Sequence, residues 1–276
     1  MPTTPSPLRY PGGKTKIYDI VRDIINTNNL HNTYIEPFAG GAGLALKLLF
    51  NNDVKKIVIN DSDLAIYAFW HSVLNNPEEL CHFIDTVDLN VGQWRAMRAI
   101  YNNKEGQDLL TIGKATLYLN RVNVSGVLKG GLIGGITQQG NYGMDARFNR
   151  VVLKNKIWKI ANNSERITLC GLDVFDFLKS DIFKRQCNGL VNFDPPYVGK
   201  GGKLYLNYFK EAEHTKLKKQ ISQLRRRWIV TYDNCEFIKK LYAEYDSSLI
   251  DFTYGTNVGK KATEFMFYSK NLVIKK

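Results

Sequence analysis

The run of residues most suited to chemistry is Asn-Phe-Asp-Pro-Pro-Tyr, residues 192–197, which follows a short apolar segment. A carboxylate at the carboxyl end of a strand lies where open α/β sheets bind their ligands. Two consecutive prolines fix two φ angles and offer carbonyl acceptors without N–H donors. Asp194 and the carbonyl of Pro195, stiffened by Pro196, therefore form a rigid pair of acceptors beside the ring of Tyr197.

Such a pair suits a planar group that bears an NH2. The lone pair of an aromatic amine is delocalised into its ring, so the amine is a poor nucleophile. Two acceptors that hold both N–H bonds favour a pyramidal nitrogen and stabilise the positive charge that develops during attack. Tyr197 can stack on a base that has rotated out of a duplex. The alternative is a proline-rich turn whose tyrosine serves packing.

A second candidate site is the glycine loop Glu-Pro-Phe-Ala-Gly-Gly-Ala-Gly, residues 36–43. It follows one predicted strand and precedes a helix, so Phe38 and Gly40 lie where a backbone can approach a cofactor closely. Asp61 ends the next predicted strand, where an acidic side chain can accept hydrogen bonds from ribose hydroxyls. GxGxxG is absent, which disfavours a nicotinamide cofactor. A tight strand-to-helix turn is the alternative for the loop alone.

Two weaker candidates flank these motifs. Residues 6–14 end in Gly-Gly-Lys, and Lys14 could cover a cofactor carboxylate, although an ordinary exposed terminus has the same composition. Asp173 follows a predicted strand and is a candidate for contact with the adenine of a cofactor. A helix N-cap is an equally good interpretation of Asp173.

The charge balance favours a polyanionic partner. The chain has 276 residues, and its 38 Lys and Arg against 26 Asp and Glu give a formal charge of +12. Such a field attracts nucleic acid, although charge can also serve solubility alone. Nine basic residues are concentrated within residues 200–227, with two interleaved tyrosines: Lys200, Lys203, Lys210, Lys216, Lys218, Lys219, Arg225, Arg226, Arg227, Tyr205 and Tyr208. This stretch fits phosphate contacts and base stacking, or a solvated helix face.

Composition also limits the class of protein. Hydrophobic residues make up 44% of the chain, as in ordinary globular proteins, and no run approaches a membrane span. The opening residues lack the apolar stretch of a secretory signal, so we expect a cytoplasmic protein. Four dispersed cysteines without a CxxC pair predict neither a metal site nor disulfides.

Short β-branched runs alternate with helical patterns, which predicts an α/β fold with a mostly parallel sheet. The predicted parallel strands cover residues 33–36, 56–60, 166–170, 189–193 and 228–232, and residues 249–254 and 264–268 are expected to close the sheet as an antiparallel pair. The rhythm lapses in residues 79–150, where a glycine-dense stretch follows two helical patterns. We therefore predict a catalytic domain of residues 1–78 and 151–276, interrupted by an insertion of residues 79–150.

The order of these motifs resembles that of the Dam-like, D12-class (alpha-group) DNA adenine methyltransferases, over nearly the whole chain. Tyr10 to Lys14 match the opening Gly-Gly-Lys segment, residues 36–43 the Glu-Pro-Phe loop, Asn60-Asp61 the second strand, and residues 194–197 Asp-Pro-Pro-Tyr. The family loop commonly reads Phe-x-Gly-x-Gly, and here Ala42 occupies the second glycine position. The resemblance implies a Rossmann-like fold with a target-recognition insertion.

The resemblance also implies roles for individual residues. S-adenosylmethionine would be contacted by Tyr10, Lys14, Phe38, Gly40, Asp61, Asp173 and Asp194. Asp194, Pro195, Pro196 and Tyr197 would hold an adenine flipped out of double-stranded DNA, with no metal. We expect polar residues of the insertion to read bases, namely Arg121, Asn123, Gln138, Asn141 and Arg147, and the basic stretch, including Lys218 and Arg225, to hold phosphates.

Other functions fit parts of this pattern. A methyltransferase could act on another planar amine, such as cytosine or a glutamine side chain, but those families tend to show Ser or Asn in place of Asp194. A catalytically idle DNA-binding module is the alternative from another class, and the intact motifs argue against it. We expect a monomer, with a cognate restriction endonuclease as a candidate partner.

Overall fold

The computed structural model describes residues 4–10, 13–186, 188–198, 209–253 and 261–275. Lys200, Lys203, Tyr205 and Tyr208 of the predicted basic stretch lie outside this part of the chain. The side chains of residues 252, 253, 261 and 262 are likewise not described.

A seven-stranded sheet forms the centre of the protein, in the order β3-β2-β1-β4-β5-β7-β6. The strands are β1 Thr33–Glu36, β2 Lys56–Asn60, β3 Ile167–Cys170, β4 Gly189–Phe193, β5 Arg227–Asp233, β6 Ser247–Thr253 and β7 Lys261–Tyr268. The first five pair in parallel, whereas β7 is antiparallel to both β5 and β6. The predicted α/β fold with a mostly parallel sheet, closed by an antiparallel pair, is confirmed.

The described residues form eleven α-helices. They are α1 Tyr18–Thr27, α2 Gly43–Phe50, α3 Leu64–Asn75, α4 Pro77–Thr86, α5 Val91–Asn102, α6 Leu109–Val122, α7 Arg150–Ala161, α8 Val174–Lys179, α9 Asp181–Lys184, α10 Glu211–Ser222 and α11 Glu236–Leu241. None of the helices in the described ranges is long and apolar enough to cross a membrane.

Helices cover both faces of the sheet, because its strands are apolar on both faces. Within β2 the side chains alternate. Ile57 and Ile59 join the core beneath α1, α2 and α3, whereas Val58 joins the core beneath α8, α10 and α11. A parallel strand buried in this way leaves only its ends open to ligands.

The helices of residues 79–150 share a core with the rest of the protein. Leu80, Ile84 and Leu119 belong to the same buried cluster as Ile57 and Ile59. The helical part of the insertion therefore packs into the same core as β2. The glycine-dense part, residues 123–149, extends from the end of α6 as loops and single turns. The division of the chain into two domains stays a prediction.

The topology also determines where a ligand can bind. The chain proceeds outwards from β1 to β2 in one direction and from β4 to β5 in the other, so strand order reverses between β1 and β4. Open α/β sheets bind ligands at the carboxyl ends of strands around such a point. Glu36 ends β1 and Asp194 follows β4 at this edge.

Candidate active site

Asp194 is held by one of its two carboxylate oxygens. Its Oδ1 accepts a hydrogen bond from Thr231 Oγ1 of β5 at 3.0 Å and lies 2.9 Å from Lys14 Nζ. The described part of the chain offers no hydrogen bond to Oδ2, and about a quarter of the side chain (26%) is exposed. The carboxylate is thus fixed in orientation while one oxygen stays available to a substrate.

Lys14 is the centre of a buried polar cluster. Its Nζ lies 3.1 Å from Glu264 Oε2 of β7 and donates to the hydroxyl of Tyr197 at 2.6 Å. The side chains of Lys14 and Glu264 are only 5% and 2% exposed. Lys14 thereby joins the segment before α1 to β7 and to the Asp-Pro-Pro-Tyr segment. We call Lys14, Asp194, Tyr197 and Glu264 the lysine cluster.

Electrostatics keep this lysine charged. Burial alone would lower the pKa of Lys14, but the carboxylates of Asp194 and Glu264 raise it above its ordinary value. Burial raises the pKa of Asp194, and Lys14 opposes that rise. Glu36 lies close enough to interact with both groups, and burial raises its pKa to about 8. Carboxylates with raised pKa values in a cleft are typical of functional sites.

Six neighbouring strands of the sheet, β3-β2-β1-β4-β5-β7, each bring an acidic residue to this edge. β7 runs antiparallel to β5, and its Glu264 is the register partner of Asp233 at the end of β5. The six residues of this acidic row are Asp173, Asp61, Glu36, Asp194, Asp233 and Glu264. A protein of net positive charge therefore carries a negative strip at the catalytic end of its sheet.

The glycine loop folds back onto Asp61. Gly40 adopts φ +46° and donates its N–H to Asp61 Oδ2 at 2.8 Å, while Asp61 Oδ1 accepts from the N–H of Asp63 at 3.0 Å. A Cβ at Gly40 would lie 2.6 Å from the ring of Tyr10, so only glycine fits beneath that tyrosine. Ala42 takes φ +45°, the left-handed conformation that glycine supplies at little cost.

Asp61 retains the capacity to bind a ligand. A carboxylate has about four acceptor positions, and the two backbone bonds use two of them. Burial raises the pKa of Asp61 to about 6, so desolvation already opposes its charge. A ribose diol would supply two further donors to these oxygens. These residues fit the sugar of a nucleoside-containing cofactor.

Two other predicted cofactor residues lie at the same edge. Phe38 is half-buried and meets Phe209 edge to face, with ring centres 5.9 Å apart. Asp173 caps α8, because its Oδ1 accepts from the N–H of Phe175 at 2.8 Å. The helix-cap interpretation of Asp173 is thus observed, and its contact with a cofactor stays a prediction.

Two residues predicted to read bases have structural partners instead. Asn123 is fully buried; it accepts from Trp94 Nε1 at 2.8 Å and donates to the carbonyls of Val127 and Leu128. Gln138 donates to two carbonyls of its own loop and accepts from the N–H of Met144. All side-chain polar atoms of Asn123 have partners within the protein, and its contact with a base stays a prediction. Gln138 likewise shapes the loop.

The remaining base-reading candidates lie around a surface pocket of about 290 Å³. Asn141 and Arg147 are exposed and line it together with Arg9 and Tyr142. Arg121 lies behind them, donating to the carbonyl of Arg147 at 2.7 Å. Burial, with Arg9 and Arg147 nearby, lowers the pKa of Arg121 to about 10.

Within the described ranges, the basic residues around this pocket are not matched by a carboxylate. Arg9, Arg121, Arg147 and Lys156 make no ion pair with any described carboxylate. Burial and neighbouring cations lower the pKa of Arg9 and of Lys156 as well. Cations that converge without a carboxylate destabilise the free protein and favour an anionic ligand. We call these four residues the arginine group.

Lys218 and Arg225 lie elsewhere. Lys218 pairs with Glu244 at 2.6 Å, and Arg225 lies two residues before β5, at its amino end. β5 contains seven residues, a length of ~23 Å at ~3.3 Å per residue, and Asp194 lies near its carboxyl end. Arg225 therefore lies at the end of β5 away from Asp194, and its predicted contact with DNA phosphates is left to experiment.

Thr231, Glu264 and Arg9 were missed in the sequence. Thr231 and Glu264 lie inside the strands β5 and β7, and neither belongs to a local sequence motif. Arg9 had a usable signal, since it adjoins Tyr10. Asn120 clamps its backbone, accepting from Arg9 N at 2.7 Å and donating to its carbonyl at 2.8 Å. A Cβ at Gly126 would lie 2.4 Å from that carbonyl, which explains a glycine there.

An α/β sheet with a buried acid after β2 and a pair of acceptors after β4 fits a group-transfer enzyme that acts on an amine. Comparison with known proteins identifies the chemical group that is transferred and its acceptor. The family described as D12 class N6 adenine-specific DNA methyltransferase matches residues 10–255. The chain belongs to this family, and it methylates adenine in DNA rather than cytosine or a protein side chain.

Similar proteins include two curated relatives. Type II methyltransferase M.MjaIII of Methanocaldococcus jannaschii is 25% identical, with 87% of this chain and 88% of the relative covered. Type II methyltransferase M.CviBI of Paramecium bursaria Chlorella virus NC1A is 20% identical, with 86% of each chain covered. Among solved structures, the rRNA methyltransferase AviRa from Streptomyces viridochromogenes aligns with a TM-score of 0.41 at 12% identity, over 94% of this chain and 86% of that one.

Proposed function

We propose that Asp194 and the carbonyl of Pro195 bind the two N–H groups of the target adenine, with Tyr197 stacked on the flipped base. The observation that carries this proposal is the asymmetry of the Asp194 carboxylate. Lys14 and Thr231 both bind Oδ1, whereas Oδ2 has no hydrogen bond from the described residues. An acceptor already fixed before the substrate arrives need not reorganise in the transition state.

S-adenosylmethionine is the methyl donor expected of this family, and it supplies an electrophilic methyl group on a sulfonium. We propose that Asp61 binds its ribose, that Phe38 and Asp173 lie beside its adenine, and that Tyr10 with Gly40 forms the cover over it. The acidic row suits a cationic donor. Lys14 acts on the target side of the site, where it orients Asp194, and its predicted cofactor contact is part of the same proposal.

We further propose that the arginine group binds DNA phosphates next to the target base. The N-terminal segment links the two functions, because Arg9 belongs to the arginine group and the next residue, Tyr10, covers the glycine loop. Asn141 and Arg147 remain our candidates for reading bases. Lys218 remains a proposed phosphate contact.

The names of the two relatives support a restriction–modification role with a cognate endonuclease. We propose that role for this chain, acting as a monomer on double-stranded DNA in the cytoplasm, where the DNA that needs protection is found.

A direct test is methyl transfer from tritiated S-adenosylmethionine to plasmid DNA, followed by digestion to nucleosides. Label in N6-methyladenine, abolished by Asp194→Ala with DNA binding intact, is the expected result. Label in methylcytosine, or an Asp194→Ala protein as active as the wild type, would contradict the proposal. Sequencing host DNA after expression would then define the recognition site.

A further inference from the structure

Glu264 is a buried carboxylate that the proposed adenine contacts do not use. It lies on β7, an antiparallel strand far in sequence from the motifs, and only 2% of its side chain is exposed. Burying a carboxylate is costly unless it is paired and hydrogen-bonded. One of its partners is Lys14, whose Nζ lies 3.1 Å from Oε2. A glutamate retained at this cost needs a function.

The same ammonium bridges two carboxylates. Lys14 Nζ lies 2.9 Å from Asp194 and 3.1 Å from Glu264. If Lys14 faced Asp194 alone, the pair would be neutral and Asp194 would be a weakened acceptor. With Glu264 as a second partner, the three groups carry a net negative charge. The charge of the lysine is then shared by two carboxylates, so it neutralises Asp194 only in part.

This charge matters for the reaction. As the N–C bond forms and the C–S bond breaks, with its electrons left on sulfur, positive charge moves from the sulfonium to the adenine amine, which then loses a proton. Charged groups preorganised where that charge develops lower the barrier. Among the described residues, the other ionisable groups that face the lysine cluster are Glu36 and Tyr34 of β1, Tyr232 of β5, and Asp233 opposite Glu264.

We propose that Glu264 is a positioning residue for methyl transfer, which holds Lys14 between two carboxylates and so preserves the strength of Asp194 as an acceptor. This inference rests on the proposed role of Asp194, and it extends that role to a residue outside every motif. Glu264 touches neither substrate, and it acts through Lys14.

The first test is E264Q, which keeps shape and removes charge. Single-turnover methyl transfer should slow about tenfold, less than the 10²–10³ typical of losing a group that bonds the reacting atoms. Affinities for S-adenosylmethionine and for DNA should change less than twofold. Because Glu264 raises the pKa of Asp194, the acid limb of the pH–rate profile should move to lower pH. Unchanged rate and unchanged limb would overturn the proposal.

Glu244→Gln is the matched control. Glu244 also pairs with a lysine, Lys218 at 2.6 Å, but at the opposite end of the sheet. Its loss should leave the rate and the pH profile unchanged. A similar slowing in both variants would assign the effect to net charge and contradict a specific role for Glu264.

A double-mutant cycle separates positioning from packing. K14M removes the ammonium that bridges Asp194 and Glu264, so adding E264Q in that background should raise both the melting temperature and the rate relative to K14M. A purely structural Glu264 would make E264Q equally harmful in both backgrounds. The cycle stays informative if E264Q alone folds poorly. Asp194→Ala tests the proposed role of Asp194 separately, because the outcome of that test does not depend on Glu264.

Discussion

Replacing Asp194 by asparagine is the sharpest perturbation that the active site allows. The substitution keeps shape but must place an NH2 group beside one of two donors. If the amide oxygen stays with Lys14 and Thr231, which bind Oδ1 at 2.9 and 3.0 Å, the NH2 faces the target amine. If the amide turns over, its NH2 faces the Lys14 ammonium. Neither arrangement provides two acceptors for the substrate.

The magnitude follows from this geometry. Losing one preorganised group costs on the order of 10²–10³ in rate, or roughly 2.7–4 kcal/mol of transition-state stabilisation. Thr231→Val provides a graded comparison, because it removes only the hydroxyl hydrogen bond to Oδ1 and leaves the ion pair with Lys14. A hydrogen bond to a charged group contributes about 1.5–3 kcal/mol, so this variant should lose at most roughly ten- to a hundredfold, less than Asp194→Asn.

The assay is single-turnover methyl transfer with enzyme in excess, so that product release does not obscure the chemical step. Calorimetry with S-adenosylmethionine and a DNA titration without cofactor should show both affinities within a fewfold range of the wild type. An Asp194→Asn rate within tenfold of the wild type would refute the assignment of Asp194. Equal losses in Asp194→Asn and Thr231→Val would show that the orientation of the side chain, not its second oxygen, is what matters.

Four further results are expected. Asp61→Ala should weaken S-adenosylmethionine binding about tenfold or more by calorimetry, because charged hydrogen bonds to the ribose are lost; unchanged affinity would return Asp61 to its role as a partner of the glycine loop. Tyr197→Ala should slow transfer more than Tyr197→Phe, which keeps the ring but removes the hydroxyl that accepts from the lysine at 2.6 Å; equal single-turnover losses would give the role to the hydroxyl. Burial raises the pKa of Glu36 to about 8, so the folded protein binds a proton more tightly than the unfolded chain and loses stability as pH rises from about 4.5 through 8. The melting temperature of Glu36→Gln should therefore rise relative to that of the wild type as the pH increases from about 5 to 9. A difference in melting temperature that does not change with pH would contradict the raised pKa of Glu36. Arg147→Gln should lower DNA affinity and flatten its dependence on salt, whereas Arg225→Gln should change neither; the reverse order would restore the basic stretch as the DNA contact.

The sheet was the most predictable part of the molecule. Strands such as Gly189–Phe193 are short, apolar and bounded by polar residues, so local sequence alone marks them. The acids at strand ends followed from the same pattern, because a parallel sheet aligns its carboxyl ends. The same pattern predicts that Asp61 and Asp194 lie at one edge of the sheet.

The partners of those residues were not predictable in the same way. Lys14 meets Glu264 across 250 residues of sequence, and nothing near either residue announces the contact. Asn123 looked like a reader of bases because it is polar and lies in a loop, yet the loop folds around its side chain. Arg225 resembles its basic neighbours in the sequence, but it lies at the amino end of β5, away from Asp194. The tertiary fold, and not the local composition, determines the surroundings of all three residues.

The acidic row has a consequence for turnover. A methyl donor bears a sulfonium charge that the spent nucleoside thioether lacks, and a negative strip along the sheet distinguishes the two. We expect the enzyme to hold the charged donor more tightly than its by-product, and rising salt to erode that preference. Product inhibition is thereby limited by the same carboxylates that recruit the donor. Because the arginine group and the acidic row have no residue in common, a polyanionic substrate and a cationic donor are attracted by different side chains of one enzyme.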